Sequence, residues 1–443
     1  MTATPSQTLP PEIPEEDLVI HRVVAPPLSR RQRLVVGTTL VCVGLFVALA
    51  FGVAAPHDYT AAFKLGSSGT WVDFPDIVVP ARISAILLGF VVVVLGGWHL
   101  TRGFARNRIK WVATVAIVCF ILGFLCWAST GKAGTEIDLL GLMQQAIFLA
   151  VPLILGALAG IMCERSGVIN VAIEGQMLAG AFLGALTASI AHNLGVGVLF
   201  ALVAGGLMGA LLAVFSIRYL VNQVVVGVVL NVFALGLTGF AYDMFMKNNA
   251  DRYNDPGFFG SLKIPVLGDI PVIGPLFFDA NVIVYATYVL IVVIQVALFR
   301  TRWGLRTRAV GEHPKAADTV GINVLRLRYR NVILGGLISG LAGAYFTIGT
   351  VGSFSKNITS GKGFIALAAV IFGRWSPLGA LGAALLFGFA DALQTVLSYT
   401  QTPVPIPSSF LAMLPYLATI FAVAGLVGRV RAPAADGEPY TKE

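Results

Sequence analysis

The chain has 443 residues, of which 57% are hydrophobic and only 12% are charged, about half the charged share of an ordinary soluble domain. So few charges cannot cover the surfaces of the several soluble domains that this length would otherwise form. The same numbers exclude disordered, collagen-like and disulfide-scaffold proteins. With a mean hydropathy of +0.84, the composition predicts an all-α polytopic membrane protein.

The first 33 residues are predicted to be a disordered tail. Residues 1–29 contain six prolines and the acidic run Glu15, Glu16 and Asp17, with no hydrophobic periodicity. We do not expect a signal peptide, because the first apolar run is too long and no small-residue cleavage site follows it.

Apolar stretches sufficient for about 12 transmembrane or re-entrant helices follow this tail. We divide them into an N-terminal membrane extension at 34–110 and a membrane core at 111–428, with a short polar tail at 429–443. The stretches lie at 34–54, 83–100, 111–129, 139–162, 172–192, 195–215, 222–246, 282–300, 331–351, 363–373, 377–398 and 410–428.

The basic residues predict the orientation of these helices. If the N-terminus is cytoplasmic and each stretch crosses once, 22 of the 30 Lys and Arg residues fall inside and 8 outside, as the positive-inside rule requires. Both termini are then cytoplasmic. The net charge of +8 therefore reports topology, and we expect membrane lipid but no nucleic acid as a partner.

Several stretches carry polar residues that interrupt them. Asn170 and Glu174 are spaced i, i+4 and share a helix face, and a carboxylate at bilayer depth usually faces the protein interior or a water-filled path. The structural alternative is that Glu174 caps a helix end or bonds to a neighbouring span. Broken helices often mark a translocation path, so Asn170 and Glu174 are candidate path residues.

Asn222, Gln223 and Asn231 present the same choice. Asn222 and Gln223 could simply cap a helix start, whereas Asn231 lies deep in its stretch and should face inward. We place Asn222 and Asn231 near the path. Asp391 and Gln394 are three residues apart, a spacing that favours hydrogen bonding between helices.

Two connections are unusually long. The first, 247–281, is rich in Pro and Gly and is predicted to lie outside the cell; such long connections are usually functional. The second, 300–330, is predicted to be cytoplasmic and holds eight basic residues. Its middle, from His313 to Val320, can form a short helix with Pro314 in the first turn, which suggests a docking element.

Catalytic motifs are missing from the sequence. There is no HExxH, GxSxG, GxGxxG or GxxxxGK[ST], and the four cysteines have no metal-ligand spacing and read as small buried hydrophobes. We therefore expect no enzyme activity, no cofactor and no metal site. If ATP powers the protein, another subunit must hydrolyse it.

Four segments resemble a known family in sequence and order. They are Glu164–Phe182 (ERSGVINVAIEGQMLAGAF), Asn222–Gly227 with Leu230 and Asn231, Arg308–Asn323 (RAVGEHPKAADTVGIN), and Gly361–Ala368 (GKGFIALA). This set is similar to permease subunits of the bacterial ABC importers for branched-chain amino acids, ribose and nucleosides. The resemblance covers about 139–428 and leaves the residues before about 110 without a counterpart.

The resemblance implies a type II-like permease core and a set of partners. These would be two cytoplasmic ABC ATPase subunits or domains, a second homologous permease, and an extracytoplasmic substrate-binding lipoprotein. Residues 315–321 look like the family's coupling motif Glu-Ala-Ala-x-x-x-Gly, with Lys replacing Glu. The residues implied to contact the ATPase are Gly311, Glu312, Lys315, Ala316, Ala317 and Gly321.

The expected function is import of a small polar solute across the bacterial cell membrane. The Glu-Arg-Ser-Gly-Val-Ile-Asn and Gly-Glu-His-Pro segments most resemble nucleoside or simple-sugar permeases, with branched-chain amino acids as the alternative cargo. A competing class is an ion-coupled secondary transporter, for which Glu174 and Asp391 are the available ionisable path residues. A membrane scaffold or intramembrane enzyme is the third class.

Overall fold

The computed structural model describes residues 30–53, 55, 60–66, 75–105, 108–130, 136–400, 402–403, 406–421 and 431–442. The predicted disordered tail therefore falls almost wholly outside the described residues. Across the described part, ten helices are long and apolar enough to cross a membrane, and Lys362–Phe372 is a shorter apolar helix. These eleven helices correspond to the first eleven predicted stretches, which confirms the polytopic all-helical fold. Of the twelfth stretch, the part beyond Phe421 is not described.

Among the described residues, the first of two compact units comprises Arg30–Val53 and the described part of Ile83–Phe124. It holds α1 (Arg30–Phe46), which continues as a π-helix over Val47–Val53, most of α2 (Ala81–Thr101) and most of α3 (Ile109–Ala128). Buried residues from all three helices form its core: Leu40, Val92, Val112, Ala116 and Cys119. α3 contributes three of these five residues, and this unit reaches Phe124. The boundary at 110 between a membrane extension and the membrane core stays a prediction.

The second unit comprises Ala55–Arg82 and residues from Leu125 onward. It opens with a three-stranded sheet of order β2-β1-β3, made of β1 (Thr60–Lys64), β2 (Ile77–Pro80) and β3 (Glu136–Asp138). β1 pairs antiparallel with β2 and parallel with β3. The Asp138 carboxylate accepts a hydrogen bond from the Gly141 N–H, which caps α4 (Leu139–Glu164).

The remaining helices of the second unit follow α4 in the chain, and every residue of α4 from Ala150 to Glu164 is buried. They are α5 (Ile173–Ala191), α6 (Leu194–Ala213), α7 (Gln223–Ala241), α8 (Ala250–Tyr253), α9 (Ile273–Phe277), α10 (Val282–Arg300), α11 (Arg302–Glu312), α12 (Pro314–Thr319), α13 (Val324–Ala344), α14 (Lys362–Phe372), α15 (Pro377–Tyr399), α16 (Ser408–Leu411) and α17 (Leu414–Phe421). π-Helical turns extend α6 to Arg218, α7 to Met246 and α13 to Val351.

Glycines allow α13 to pack closely against α5 and α6. A Cβ placed on Gly180 of α5 would lie 2.5 Å from the Gly340 carbonyl oxygen of α13, and one on Gly336 would lie 3.0 Å from the Gly209 Cα of α6. Small residues at such crossings are how membrane helices approach without a hydrophobic driving force. The absence of a side chain at these glycines therefore permits close helix packing at these crossings.

The two long connections lie at opposite ends of the helices in this unit. Gly311 at the end of α11 packs against the Arg165 carbonyl that follows α4, and the start of α7 meets the same region through Gln223 and Ile169. The connection 247–281 joins the far ends of α7 and α10. It contains α8, α9 and an antiparallel pair of short strands, β4 (Leu262–Lys263) and β5 (Asp279–Ala280).

Candidate functional site

The connection between α4 and α5 folds back along α4. Gly167 has φ +83°, a left-handed conformation that suits glycine, and turns the chain after the end of α4. α5 then begins beside Gly160, because a Cβ on Gly160 would lie 3.3 Å from the Ile173 Cδ1. The connection, residues 165–172, is therefore a re-entrant segment, and the first turn of α5 lies about one turn inward from Glu164.

Glu174 occupies the first turn of α5 and binds the start of α14. Its side chain is buried, with 8% exposure of the residue. One carboxylate oxygen accepts hydrogen bonds from the Thr359 hydroxyl at 2.5 Å and the Gly361 N–H at 2.8 Å, and the other accepts from the Gly363 N–H at 2.6 Å. A carboxylate at a helix N-terminus satisfies N–H groups that the helix leaves unpaired and interacts favourably with its dipole.

Glycine is required where α14 meets α5. Gly361 precedes α14 with φ +81°, and a Cβ on Gly363 would lie 2.5 Å from the Glu174 backbone nitrogen. The two helix starts are therefore in backbone contact. The structural alternatives for Glu174 were capping of a helix end and bonding to a neighbouring helix. The Glu174 carboxylate bonds to a neighbouring helix, the short helix α14, at the start of that helix.

Asn231 joins α7 to the same place. Its side-chain oxygen accepts a hydrogen bond from the Gly175 N–H at 2.8 Å, and its amide group donates to the Val171 carbonyl at 2.9 Å. Asn231 thus faces inward, as predicted from its depth in the stretch. Both of its partners flank the first residues of α5, so Asn231 fixes the position of α7 against the re-entrant segment.

Asn170 pairs with a residue that the sequence did not single out. Its amide group donates to the Gln176 Oε1 at 3.1 Å, and the Gln176 amide donates back to the Asn170 Oδ1 at 3.3 Å. Both side chains are completely buried. The reciprocal pair holds the re-entrant segment against the first turns of α5.

Asn222 has the capping role considered as its alternative. Its side-chain oxygen accepts from the Val224 and Val225 N–H groups at the start of α7, and the residue is exposed. Gln223 is buried and accepts from the Ile169 N–H at 2.6 Å. Asn170, Glu174 and Asn231 therefore lie around one buried point, and Asn222 lies at its margin.

Lys362 and Asp391 form an ion pair between α14 and α15. The Lys362 Nζ bonds to the Asp391 Oδ2, and the two side chains retain exposures of 22% and 11%. This pair lies next to Gly361 and Gly363, so it borders the Glu174 cluster. The sequence predicted an interhelical partner for Asp391 but did not identify it.

Together these side chains form a polar cluster that connects three elements to the start of α5: the re-entrant segment, α7 and the short helix α14. Each bond reaches between elements and not within one helix, so displacement of one element must displace or break its bonds to the others. Within the described residues, no group of three or more His, Cys, Asp or Glu side chains is placed to hold a metal ion.

The residues predicted to contact an ATPase occupy α11, α12 and the turn after them, but they divide into two sets. Lys315, Ala316 and Gly321 are exposed, and Gly321 has φ +85°. Gly311 and Ala317 are buried against the protein itself. Ala317 packs with Val310, Val324 and Tyr440, and Glu312 is exposed while its carboxylate accepts from the Ala434 N–H.

Val320 was missed by the sequence reasoning. It follows α12 with 75% of its surface exposed, next to the exposed Gly321. A large apolar side chain in that position is available to a partner. The sequence does not distinguish Val320 from the many other valines of this apolar protein, because its exposure depends on the turn that ends α12.

A second set of contacts connects the ends of α4, α10 and α14 near α11. The Arg165 Nε donates to the Trp375 carbonyl at 2.9 Å, and the Trp375 Nε1 donates to the Glu164 Oε2 at 2.5 Å. The Arg165 and Arg308 guanidinium groups lie over the Phe299 ring at 5.6 and 5.1 Å. The end of α4, the end of α10 and the turn after α14 are thereby held together beside α11.

Comparisons with known proteins show the family to which the chain belongs. Residues 142–426 match the family model described as the permease component of branched-chain amino acid transport systems. The guanosine ABC transporter permease protein NupQ of Bacillus subtilis is 44% identical over 304 residues, which cover 66% of this chain and 94% of that protein. The nucleoside ABC transporter permease protein NupC of Lactococcus lactis is 37% identical, over 68% of this chain and 96% of that protein.

A second Bacillus subtilis protein is also similar. The guanosine ABC transporter permease protein NupP is 25% identical over 316 residues, which cover 69% of this chain and 85% of that protein. No solved structure matches the chain.

The matched region contains both the Glu174 cluster and the α11–α12 segment. Permeases of this family do not hydrolyse ATP and work with an ATPase and a substrate-binding protein. The apolar helices and the matched residues lead to one conclusion: the chain is a multi-pass membrane protein of the branched-chain amino acid transport system permease family, and it is the permease subunit of an ABC importer.

Proposed function

We propose that the cargo of this importer is a nucleoside. The observation that carries the proposal is the 44% identity to a guanosine permease protein over 94% of that protein's length, supported by the nucleoside permease protein at 37%. A simple sugar and a branched-chain amino acid are the alternatives, the second because the family description names that cargo.

The α11–α12 segment would face the cytoplasm and receive the ATPase. This orientation places the basic residues of 300–330 inside, in agreement with the 22-to-8 distribution of Lys and Arg. The exposed residues Lys315, Ala316, Val320 and Gly321 would form the surface that contacts the ATPase. The buried residues Gly311 and Ala317 would transmit displacement of α12 to the rest of the permease. The connection 247–281, at the other end, would meet the binding protein, and both termini would be cytoplasmic.

A complete transporter would contain two ATPase subunits or domains and two permeases. The second permease would be homologous and not identical. Two guanosine permease proteins of Bacillus subtilis support a pair of non-identical permeases, because NupQ and NupP are similar to this chain at very different identities of 44% and 25%.

The substrate path would pass the Glu174 cluster. Asn170, Glu174 and Asn231 hold the re-entrant segment, α7 and α14 at one point, and Asn222 positions the start of α7. Alternating access by rocking of rigid elements would require these contacts to change between the two conformations. These four residues would therefore set the geometry of the path, and Lys362 with Asp391 would border it.

Uptake of radiolabelled guanosine tests the cargo. The chain would be expressed with its ATPase, second permease and binding protein in a host without its own nucleoside uptake. We expect saturable uptake that unlabelled nucleosides suppress in large excess and that ribose, glucose and leucine leave unchanged. If labelled guanosine is not taken up, uptake of labelled ribose or glucose would identify a sugar permease, and uptake of labelled leucine an amino acid permease; either outcome overturns the nucleoside proposal.

A further inference from the structure

The C-terminal segment, Arg431–Lys442, does not project away from the protein. The Ala435 N–H donates to the Gly311 carbonyl at 2.9 Å, and the Ala434 N–H donates to the Glu312 carboxylate at 3.2 Å. Pro433 and Ala435 are buried. The segment therefore lies against the end of α11, where the ATPase-facing helix α12 begins.

Tyr440 fixes the far end of this segment. It is 7% exposed and packs in one cluster with Val310 of α11, Ala317 of α12 and Val324 of α13. Ala317 is the only buried residue of α12, so the contact with Tyr440 belongs to the face by which α12 is attached to the permease.

Arg328 connects the same segment to the re-entrant segment. Its side chain is almost fully buried, its Nε donates to the Ser166 carbonyl at 3.1 Å, and one terminal nitrogen donates to the Glu438 carbonyl at 2.9 Å. Gly437 lies against Ile169, since a Cβ on Gly437 would be 2.7 Å from the Ile169 Cδ1. The C-terminal segment thus touches α12 on one side and residues 166–169 on the other.

We propose that the C-terminal segment, through Tyr440 and Arg328, is a positioning element that couples displacement of α12 to the re-entrant segment, which leads into α5 and Glu174. The inference rests on the proposed ATPase contact at α12 and goes beyond it. Residues 166–169 lead within five positions to Glu174, so a push on α12 reaches the Glu174 cluster by a short chain of packed contacts. Coupling of this kind needs contiguous contacts between the two elements.

The test compares transport with ATP hydrolysis in the full complex. One variant ends at Val430, and a second, Tyr440→Ala, keeps the full length in case the truncated chain fails to fold. We expect both to retain the ATPase and its hydrolysis, while the amount of substrate moved per ATP falls by about fivefold or more, the lower range for coupling between sites. Tyr440→Phe keeps the ring that packs on Ala317 and should give a ratio closer to wild type than Tyr440→Ala does.

The exposed neighbour Thr441 provides the matched control, since Thr441→Ala should leave the ratio unchanged. An unchanged ratio in Tyr440→Ala, with or without a change in melting temperature, would overturn the proposal. A parallel fall of uptake and hydrolysis would also overturn it, because that result indicates a structural role alone. Loss of ATP-driven uptake in the unaltered complex would instead refute the importer assignment.

Asp436 should make this docking sensitive to pH. Burial raises the pKa of the Asp436 carboxyl to about 7, although Arg328 and the Gly437 N–H oppose the shift. The charged and titratable groups that face it are Arg328 from α13 and, at the end of α4, Glu164 and Cys163. The docked segment holds the proton more tightly than the released one. Docking is therefore strongest below about pH 4, weakens by up to about tenfold per pH unit as the pH rises to about 7, and then levels off.

Amide hydrogen exchange of residues 431–442, corrected for intrinsic exchange, measures this effect between pH 5 and 8. We expect protection to fall up to about pH 7 and to become independent of pH in Asp436→Asn, which stays as protected as the protonated protein. Protection that rises with pH, or the same pH profile in Asp436→Asn, would contradict the assignment to Asp436.

Discussion

Glu174→Ala should abolish uptake while leaving the protein in the membrane. The carboxylate accepts hydrogen bonds from the Thr359 hydroxyl and from the Gly361 and Gly363 N–H groups. Removing it leaves without a partner the buried donors of Thr359 and Gly363 and the half-buried Gly361 N–H, and each buried donor left unpaired costs about 1–3 kcal/mol. Since about 1.4 kcal/mol corresponds to a factor of ten, uptake should fall by about a hundredfold or more.

Two further variants separate the bonds within this cluster. Glu174→Gln keeps the shape of the side chain but replaces one acceptor oxygen with an amide donor, which then faces a backbone N–H at the start of α14. Uptake should therefore be intermediate between wild type and Glu174→Ala. Thr359→Val removes a single bond to a charged group and should reduce uptake by about tenfold. Immunoblots of the membrane fraction give the amount of protein for each. Near-normal uptake in Glu174→Ala would show that α14 does not depend on this carboxylate.

Val320→Asp should separate the permease from its ATPase. Val320 is 75% exposed, so the substitution costs the isolated permease little, yet it places a charge in the centre of the proposed contact surface. Loss of a central interface residue is worth about 2 kcal/mol or more. The variant should melt like wild type, fail to retain the ATPase during purification and show only background uptake.

Val266→Asp is the matched control for ATPase retention. Val266 is 62% exposed and lies in the connection 247–281, at the other end of α7 and α10. The ATPase should remain bound in this variant. The reverse result, with the ATPase lost from Val266→Asp and kept by Val320→Asp, would invert the orientation of the permease in the membrane.

Hydropathy and charge predict the helices well because a membrane span requires length and apolar composition that the sequence displays directly. Polar residues within such spans are rare, so Asn170, Glu174 and Asn231 could be recognised as residues that face the protein interior. Their hydrogen-bond partners could not be identified from the sequence. Thr359 lies 185 residues from Glu174, and a threonine in a loop carries no pattern that would connect the two.

The α11–α12 segment shows the same limit. Its motif identified the segment, but a motif does not tell which residues face the protein, and Gly311 and Ala317 are buried while Val320 is exposed. The C-terminal tail was predicted only as short, polar and cytoplasmic. Its docking depends on single side chains such as Tyr440, whose contacts with α11, α12 and α13 are formed over more than a hundred residues of sequence.

The most direct test of ATP-coupled import is guanosine uptake by cells in which the ATPase partner carries alanine in place of its phosphate-binding P-loop lysine. The permease and its binding protein are left unchanged, and immunoblots confirm that the permease remains in the membrane. We predict that uptake falls to the level of cells without the permease. Uptake that persists in these cells and is abolished by a protonophore would contradict the assignment and indicate an ion-coupled transporter.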